Sequence, residues 1–146
     1  MEKLRVFLDT NVIVLYLLGK RNLVDLFSQK VLEKVHYIVN PIVYQETILA
    51  MGPIWRRRFA EIDLNKIAEY VEVVQIDSSK MDSYLEKMRK FRNLLVHADD
   101  ILILQTAILQ CDYLLTLDYG LLEIGQIDSL KIISPNEYFI LLGVRQ

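Results

Sequence analysis

A single cysteine, Cys111, leaves no partner for an internal disulfide and too few thiolates for a cysteine-held zinc ion. Its apolar helical setting reads as small buried filler, and it is assigned no chemistry. An unbroken apolar stretch long enough to span a bilayer is missing too, although 53% of the 146 residues are hydrophobic. Arg5, Asp9 and Asn11 interrupt the first apolar region, and Gln105, Gln110 and Asp112 interrupt a later one. Asp9 also falls inside the would-be core of a signal peptide, and no small-residue cleavage site follows, so the expected location is the cytoplasm, with no membrane partner. Repeats, linkers and low-complexity segments are absent as well. The expectation is one domain over residues 1–146, with enough apolar sequence to bury a real core.

What is present is an alternation of strands and helices. Leu4 to Leu8 reads as a strand, its Val6, Phe7 and Leu8 forming the near-continuous apolar run of a strand covered on both faces. Val12 to Leu18 reads as a helix that Asn11 could cap, and Gly19 and Lys20 end it. Leu23, Leu26, Phe27, Val31 and Val35 carry a helical period, and His36 to Val39 makes the second strand. Asn40 and Pro41 are a cap and first-turn pair for a helix containing Glu46, which Gly52 and Pro53 are expected to break. A helix over Trp55 to Tyr70 and a strand over Val71 to Ile76 come next. Asp77, Ser78 and Ser79 start a helix running through Met81, Leu85 and Met88 towards Leu95. A helix opened by Asp99 and Asp100 is apolar nearly all round and so should be buried. Tyr113 to Leu117 and Leu130 to Ile133 are the last strands, and Asn136 to Leu142 a terminal helix packed on the core through Tyr138, Phe139, Leu141 and Leu142. This order implies a three-layer α/β/α fold with a central parallel sheet, whose ligands bind beyond the carboxyl ends of the strands.

Asp9, Glu46, Asp100 and Asp118 each stand where a strand or helix meets a loop, embedded in apolar sequence. Each alone has a plain structural explanation: a turn residue, a solvated helix residue, a first-turn acid favoured by the helix dipole, a loop starter. Together they make a different case. Two unit charges about 4 Å apart repel by roughly 4 kcal/mol at an effective dielectric near 20, so clustered acids need cations or protons, and hard divalent cations supply that charge. Setting these four acids aside turns the net charge of −2 into +2 for the rest of the chain. Arg56, Arg57 and Arg58, and the run Lys87, Arg89, Lys90 and Arg92, are then candidates for phosphate binding, or solvated helix faces. Trp55 beside the arginines could stack a base or pack a helix interface, and Tyr119 is a weaker aromatic candidate. His36 and His97 carry little weight as general bases.

Four stretches resemble the PIN domain family, whose members include VapC-type toxin ribonucleases: VFLDTNV with Asp9, PIVYQET with Glu46, HADDILILQTA, and LLTLDYG with Thr116 and Asp118. They occur in the family's order and spacing over nearly the whole chain. Counting back from Thr106 and Ala107 puts the family's third acid on Asp100, while Asp99, about 100° away on the helix, becomes a cap or outer residue. The chain departs from the pattern at Gly120, where many members have another acid. The resemblance implies a nuclease in which Mg2+ or Mn2+ is held by Asp9, Asp100 and Asp118, with Glu46 direct or through water, one ion or a pair activating water and polarising a phosphoryl oxygen. Thr116 would hydrogen-bond a carboxylate or water, and Asn11 would orient Asp9 or cap its helix. An RNA substrate, an antitoxin partner and a homodimer are implied too. Two other readings stand beside it. One is a non-catalytic RNA-binding or assembly module of the same fold. The other is a haloacid dehalogenase-type phosphatase, which wants an acid where this chain has Asn11.

Overall fold

Val6, Phe7 and Leu8 are wholly inaccessible to solvent, as the apolar run predicts for a strand with a layer on each face. A computed structural model describes residues 2–58, 64–94 and 98–144, with 53–58, 64–65 and 98 described through backbone alone. In chain order the elements are β1 (Leu4–Leu8), α1 (Thr10–Leu17), α2 (Gln29–Leu32), β2 (Val35–Val39), α3 (Pro41–Arg58), α4 (Leu64–Tyr70) and β3 (Val71–Val73). There follow α5 (Met81–Met88), α6 (Ala98–Gln110), β4 (Tyr113–Leu115), α7 (Tyr119–Ile124), β5 (Gln126–Ile127), β6 (Leu130–Ile133) and α8 (Pro135–Leu141). The sheet order is β3-β2-β1-β4-β6-β5, with every pairing parallel except β5 with β6. Helices flank this central, mostly parallel sheet, the expected three-layer class.

The strand order has one consequence for function. From β1 the chain steps outward through β2 to β3, then returns to lay β4 against the other side of β1. The carboxyl ends of β1 and β4 are therefore a switch point, where the connections leave in opposite directions and open a crevice. Asp9 follows β1, and its N–H donates to the Leu115 carbonyl at 3.0 Å, carrying the ladder to the rim of that crevice. α6 lies behind it with Ile103, Leu104, Gln105, Thr106 and Ala107 all buried, as its all-round apolar sequence predicts.

Several boundaries differ from the sequence pattern. α3 continues through Gly52 and Pro53 instead of breaking there. The carbonyl that Pro53 leaves without a helical donor belongs to Leu49, which is 71% exposed, so water can satisfy it while Met51 stays fully buried. The expected helix over Leu23 to Val35 is a 3₁₀ turn at Arg21–Leu23 and the short α2, because Ser28 intervenes and caps α2 through the Val31 N–H at 3.4 Å. Its apolar residues are buried nonetheless. The helix expected from Asp77 is divided into a 3₁₀ turn, α5 and a second 3₁₀ turn at Arg89–Phe91, and Leu85 is 43% exposed. Phe59, Ile62, Leu95 and His97 lie outside the described residues. β5 and α7 were not visible in the periodicity. β5 pairs with β6 across a hairpin in which Asp128 takes φ 52°. In α8 Tyr138 and Phe139 are buried as expected, as is Leu142 at its C-cap, but Leu141 is 52% exposed.

One side chain joins the two helices that bring acids to the crevice. Asn40 is fully buried; its Oδ1 accepts from the Val43 N–H at 3.1 Å to cap α3, and its Nδ2 donates to Thr106 Oγ1 at 3.0 Å and the Leu102 carbonyl at 3.2 Å in α6. Asn40→Ala should cost about 2–3 kcal/mol, a lost cap plus buried groups left without partners. Urea unfolding measures this, and a change below about 0.5 kcal/mol would contradict the assignment.

Candidate functional site

Asp9, Glu46, Asp100 and Asp118 line one open cleft of about 550 Å³ at the switch point. Val14, Ala50 and Ile103 form its apolar wall. Among the described residues lining it, none is basic. The sequence-predicted acids thus meet in one place, and Asp100 rather than Asp99 faces the cleft.

Asp9 is the hub. Only 6% exposed, it caps α1, its Oδ1 accepting from the Thr10 N–H at 2.7 Å while Oδ2 accepts from Thr116 Oγ1 at 2.7 Å. Asp9 is the cap, then, and Asn11 is not. Asn11 instead accepts the Leu117 N–H on its Oδ1 at 3.2 Å, holding the loop that leaves β4. That loop is tied again where Thr116 Oγ1 accepts the Asp118 N–H at 3.0 Å, and Asp118 caps α7 by accepting the Gly120 N–H at 3.1 Å. Two contacts go beyond the sequence reading. Thr10 Oγ1 donates to Glu46 Oε1 at 2.8 Å, fixing the acid that α3 delivers, and Asn40 with Thr106 sets α3 against α6. A Thr directly after a strand-end Asp was the available signal for the first.

Burial pushes the Asp9 carboxyl up from 3.8 to about 6; the Thr116 and Thr10 hydrogen bonds oppose this, and the charges of Asp100 and Glu46 add to it. The donor set is all oxygen, which suits a hard cation. Among the described residues the acids do not already close into a group of three or more around one point. What the cleft shows is negative charge on a buried carboxylate with no basic lining residue, and in that sense its residues fit a divalent cation.

The basic candidates lie elsewhere. Lys87 pairs with Asp128 at 2.6 Å and Arg89 with Glu86 at 3.5 Å, both pairs at the surface, and Lys90 and Arg92 are exposed. The side chains of Trp55, Arg56, Arg57 and Arg58 lie outside those described. Tyr119 is 76% exposed next to Asp118, and His36 contacts Glu72 at 2.6 Å on the β2 and β3 strands, away from the cleft.

A family model described as PIN domain matches residues 6–127. The chain belongs to the PIN domain family. Two solved structures share the PIN fold: VapBC2 from Rickettsia felis bound to a DNA fragment from its promoter, and FitAB bound to an IR36 DNA fragment. The first superposes with a TM-score of 0.68 at 17% identity, covering 89% of this chain and 98% of that one. The second gives 0.60 at 19%, covering 89% and 94%. No match was found among curated protein sequences.

Asp9 sets a pH signature for this PIN domain. Its folded pKa lies above its unfolded value, so the folded state holds the proton more tightly, and stability falls as pH rises from 3.8 through about 6, then levels. In EDTA, Asp9→Asn should therefore be more stable than wild type by about 2–3 kcal/mol at pH 7.5, with the gap closing towards pH 4. Urea melts across that range test this; a variant less stable than wild type at pH 7.5 would contradict it.

Proposed function

We propose that this PIN domain is a metal-dependent endoribonuclease that hydrolyses phosphodiester bonds of single-stranded or structured RNA, working in the cytoplasm as the toxin of a toxin–antitoxin pair. The observation that carries the reading is the convergence of Asp9, Glu46, Asp100 and Asp118 on one cleft at the switch point of the sheet. Mg2+ or Mn2+ held by Asp9, Asp100 and Asp118, with Glu46, would supply an activated water and a polarised phosphoryl oxygen.

The chain's own groups prepare for that. Thr116 holds Oδ2 of Asp9 in place, Thr10 holds Glu46, and Asn11 keeps the Leu117 loop, and with it Asp118, against α1. The apolar wall of Val14 and Ile103 lowers the local dielectric, which strengthens each charge in the cleft. Asn11 stands where a haloacid dehalogenase-type phosphatase needs a second acid, and an amide cannot supply that proton, which disfavours that reading. A protein partner is supported by the relatives VapBC2 and FitAB, both toxin–antitoxin assemblies, and a homodimer belongs to the same reading. Among the described residues, no helix is long and apolar enough to cross a membrane.

Cleavage of single-stranded RNA in Mn2+ tests the proposal. Asp9→Asn and Asp118→Asn should each lose at least about 100-fold in rate, and Thr116→Val, which removes only a supporting bond, about 10- to 100-fold. No metal-dependent cleavage of any RNA or DNA, or equal rates in Asp9→Asn, would overturn it. RNA affinity without turnover would instead favour the binding-module reading.

A further inference from the structure

The candidate cleft holds more than a cation uses. Hard cations take oxygen ligands and gain nothing from hydrocarbon, yet Val14, Ala50 and Ile103 line the same cleft as Asp9, Glu46, Asp100 and Asp118. Its volume, about 550 Å³, is of the size that encloses a small organic group.

The apolar lining is ordered. On α1 Val14 stands three residues after Asn11, on α3 Ala50 four after Glu46, and on α6 Ile103 three after Asp100, and all of these line the cleft. Residues three or four apart share a helix face, so each helix presents a polar group and then, one turn or roughly 5 Å further along, an apolar one. The directions of the helices agree. α1 starts one residue after β1 and α3 one residue after β2, while α6 ends two residues before β4, and these three strands are parallel. All three helices therefore run back along the sheet the same way, and α3 packs on both α1 and α6. The polar groups make one tier of the cleft, and the apolar side chains make a second tier beside it. Within that second tier Ile103 is 2% exposed, Val14 is half-buried and Ala50 is exposed. Ala50 is also the smallest of the three, so α3 leaves its side of the tier open.

An RNA strand matches both tiers. Its phosphate suits the acids with their cation, and one ribose away stands a base whose flat faces pack against apolar surface. We propose that Val14, Ala50 and Ile103 form a slot for the base adjoining the phosphate that is cut, and that Ala50 admits this base by being small. This deepens the nuclease reading and rests on RNA occupying this cleft.

The test is equilibrium binding to the full chain carrying Asp9→Asn, in EDTA, of two fluorescent strands of equal length: a single-stranded RNA, and the same ribose–phosphate chain without bases. The RNA should bind at least about 5-fold more tightly, the order expected for burying roughly 50 Å² of apolar surface. Ala50→Leu fills the slot and should shrink that preference to less than about 2-fold. Leucine is a strong helix former and position 50 is exposed, so the fold tolerates it. The preference is a ratio within one protein, so any loss of folded chain cancels from it. Equal affinity for the two strands, binding of neither, or a preference that Ala50→Leu leaves whole overturns the slot. Mn2+-dependent RNA cleavage by the chain with Asp9 intact, alongside any of those results, sinks this proposal alone. A base preference that Ala50→Leu abolishes, without cleavage by the intact chain, supports the slot and sinks the nuclease reading.

Discussion

A carboxylate buried at the end of the central strand is the constraint on which the rest of this structure turns. Asp9 is removed from water by the strands and helices that make the core, and neither of its two hydrogen bonds, from Thr116 and from the Thr10 N–H, brings positive charge. Burial and the neighbouring acids hold its carboxyl at about 6. A group like this costs stability when ionised at neutral pH, and a chain that retains it beside Glu46, Asp100 and Asp118 is organised around something that favours the charge.

The scaffold explains how acids so far apart in sequence share a cleft. Asp9 and Asp118 leave neighbouring strands, β1 and β4, at the same edge of the sheet, and Asn11 and Thr116 bind their loops to one another. Glu46 and Asp100 come from helices that Asn40 and Thr106 hold together. Each acid is thereby carried into the cleft by secondary structure. At Gly120, two residues after Asp118, the chain forgoes a side chain in favour of backbone contact with Leu94.

Much of this was legible in the residues because apolar strands ending in polar residues leave a strong local signal. β1 and β6 fell at their predicted bounds, and Asn40 with Pro41 announced α3 correctly, since caps act through neighbouring atoms. The acids were legible for a related reason: charge inside apolar sequence is conspicuous. What stayed hidden depended on tertiary contact. Nothing local says that α3 can pass Pro53, four residues after the exposed Leu49, or that Asp9 takes the capping role that Asn11 could also fill. β5 is only two residues long, too short to leave a periodic signal. The engagement of Lys87 by Asp128, 41 residues away, and the Leu94 contact at Gly120 are meetings of distant segments that no periodicity encodes.

If the four acids of the cleft hold a cation, that ion relieves their mutual repulsion in the folded state. Thermal melting in EDTA and in saturating Mn2+ at pH 7.5, on wild type and on Asp9→Asn, measures this. A clear rise in Tm is expected for wild type, because the ion binds the folded state, and a much smaller rise for the variant. A wild-type Tm unmoved by Mn2+, or an equal rise in both proteins, would contradict it.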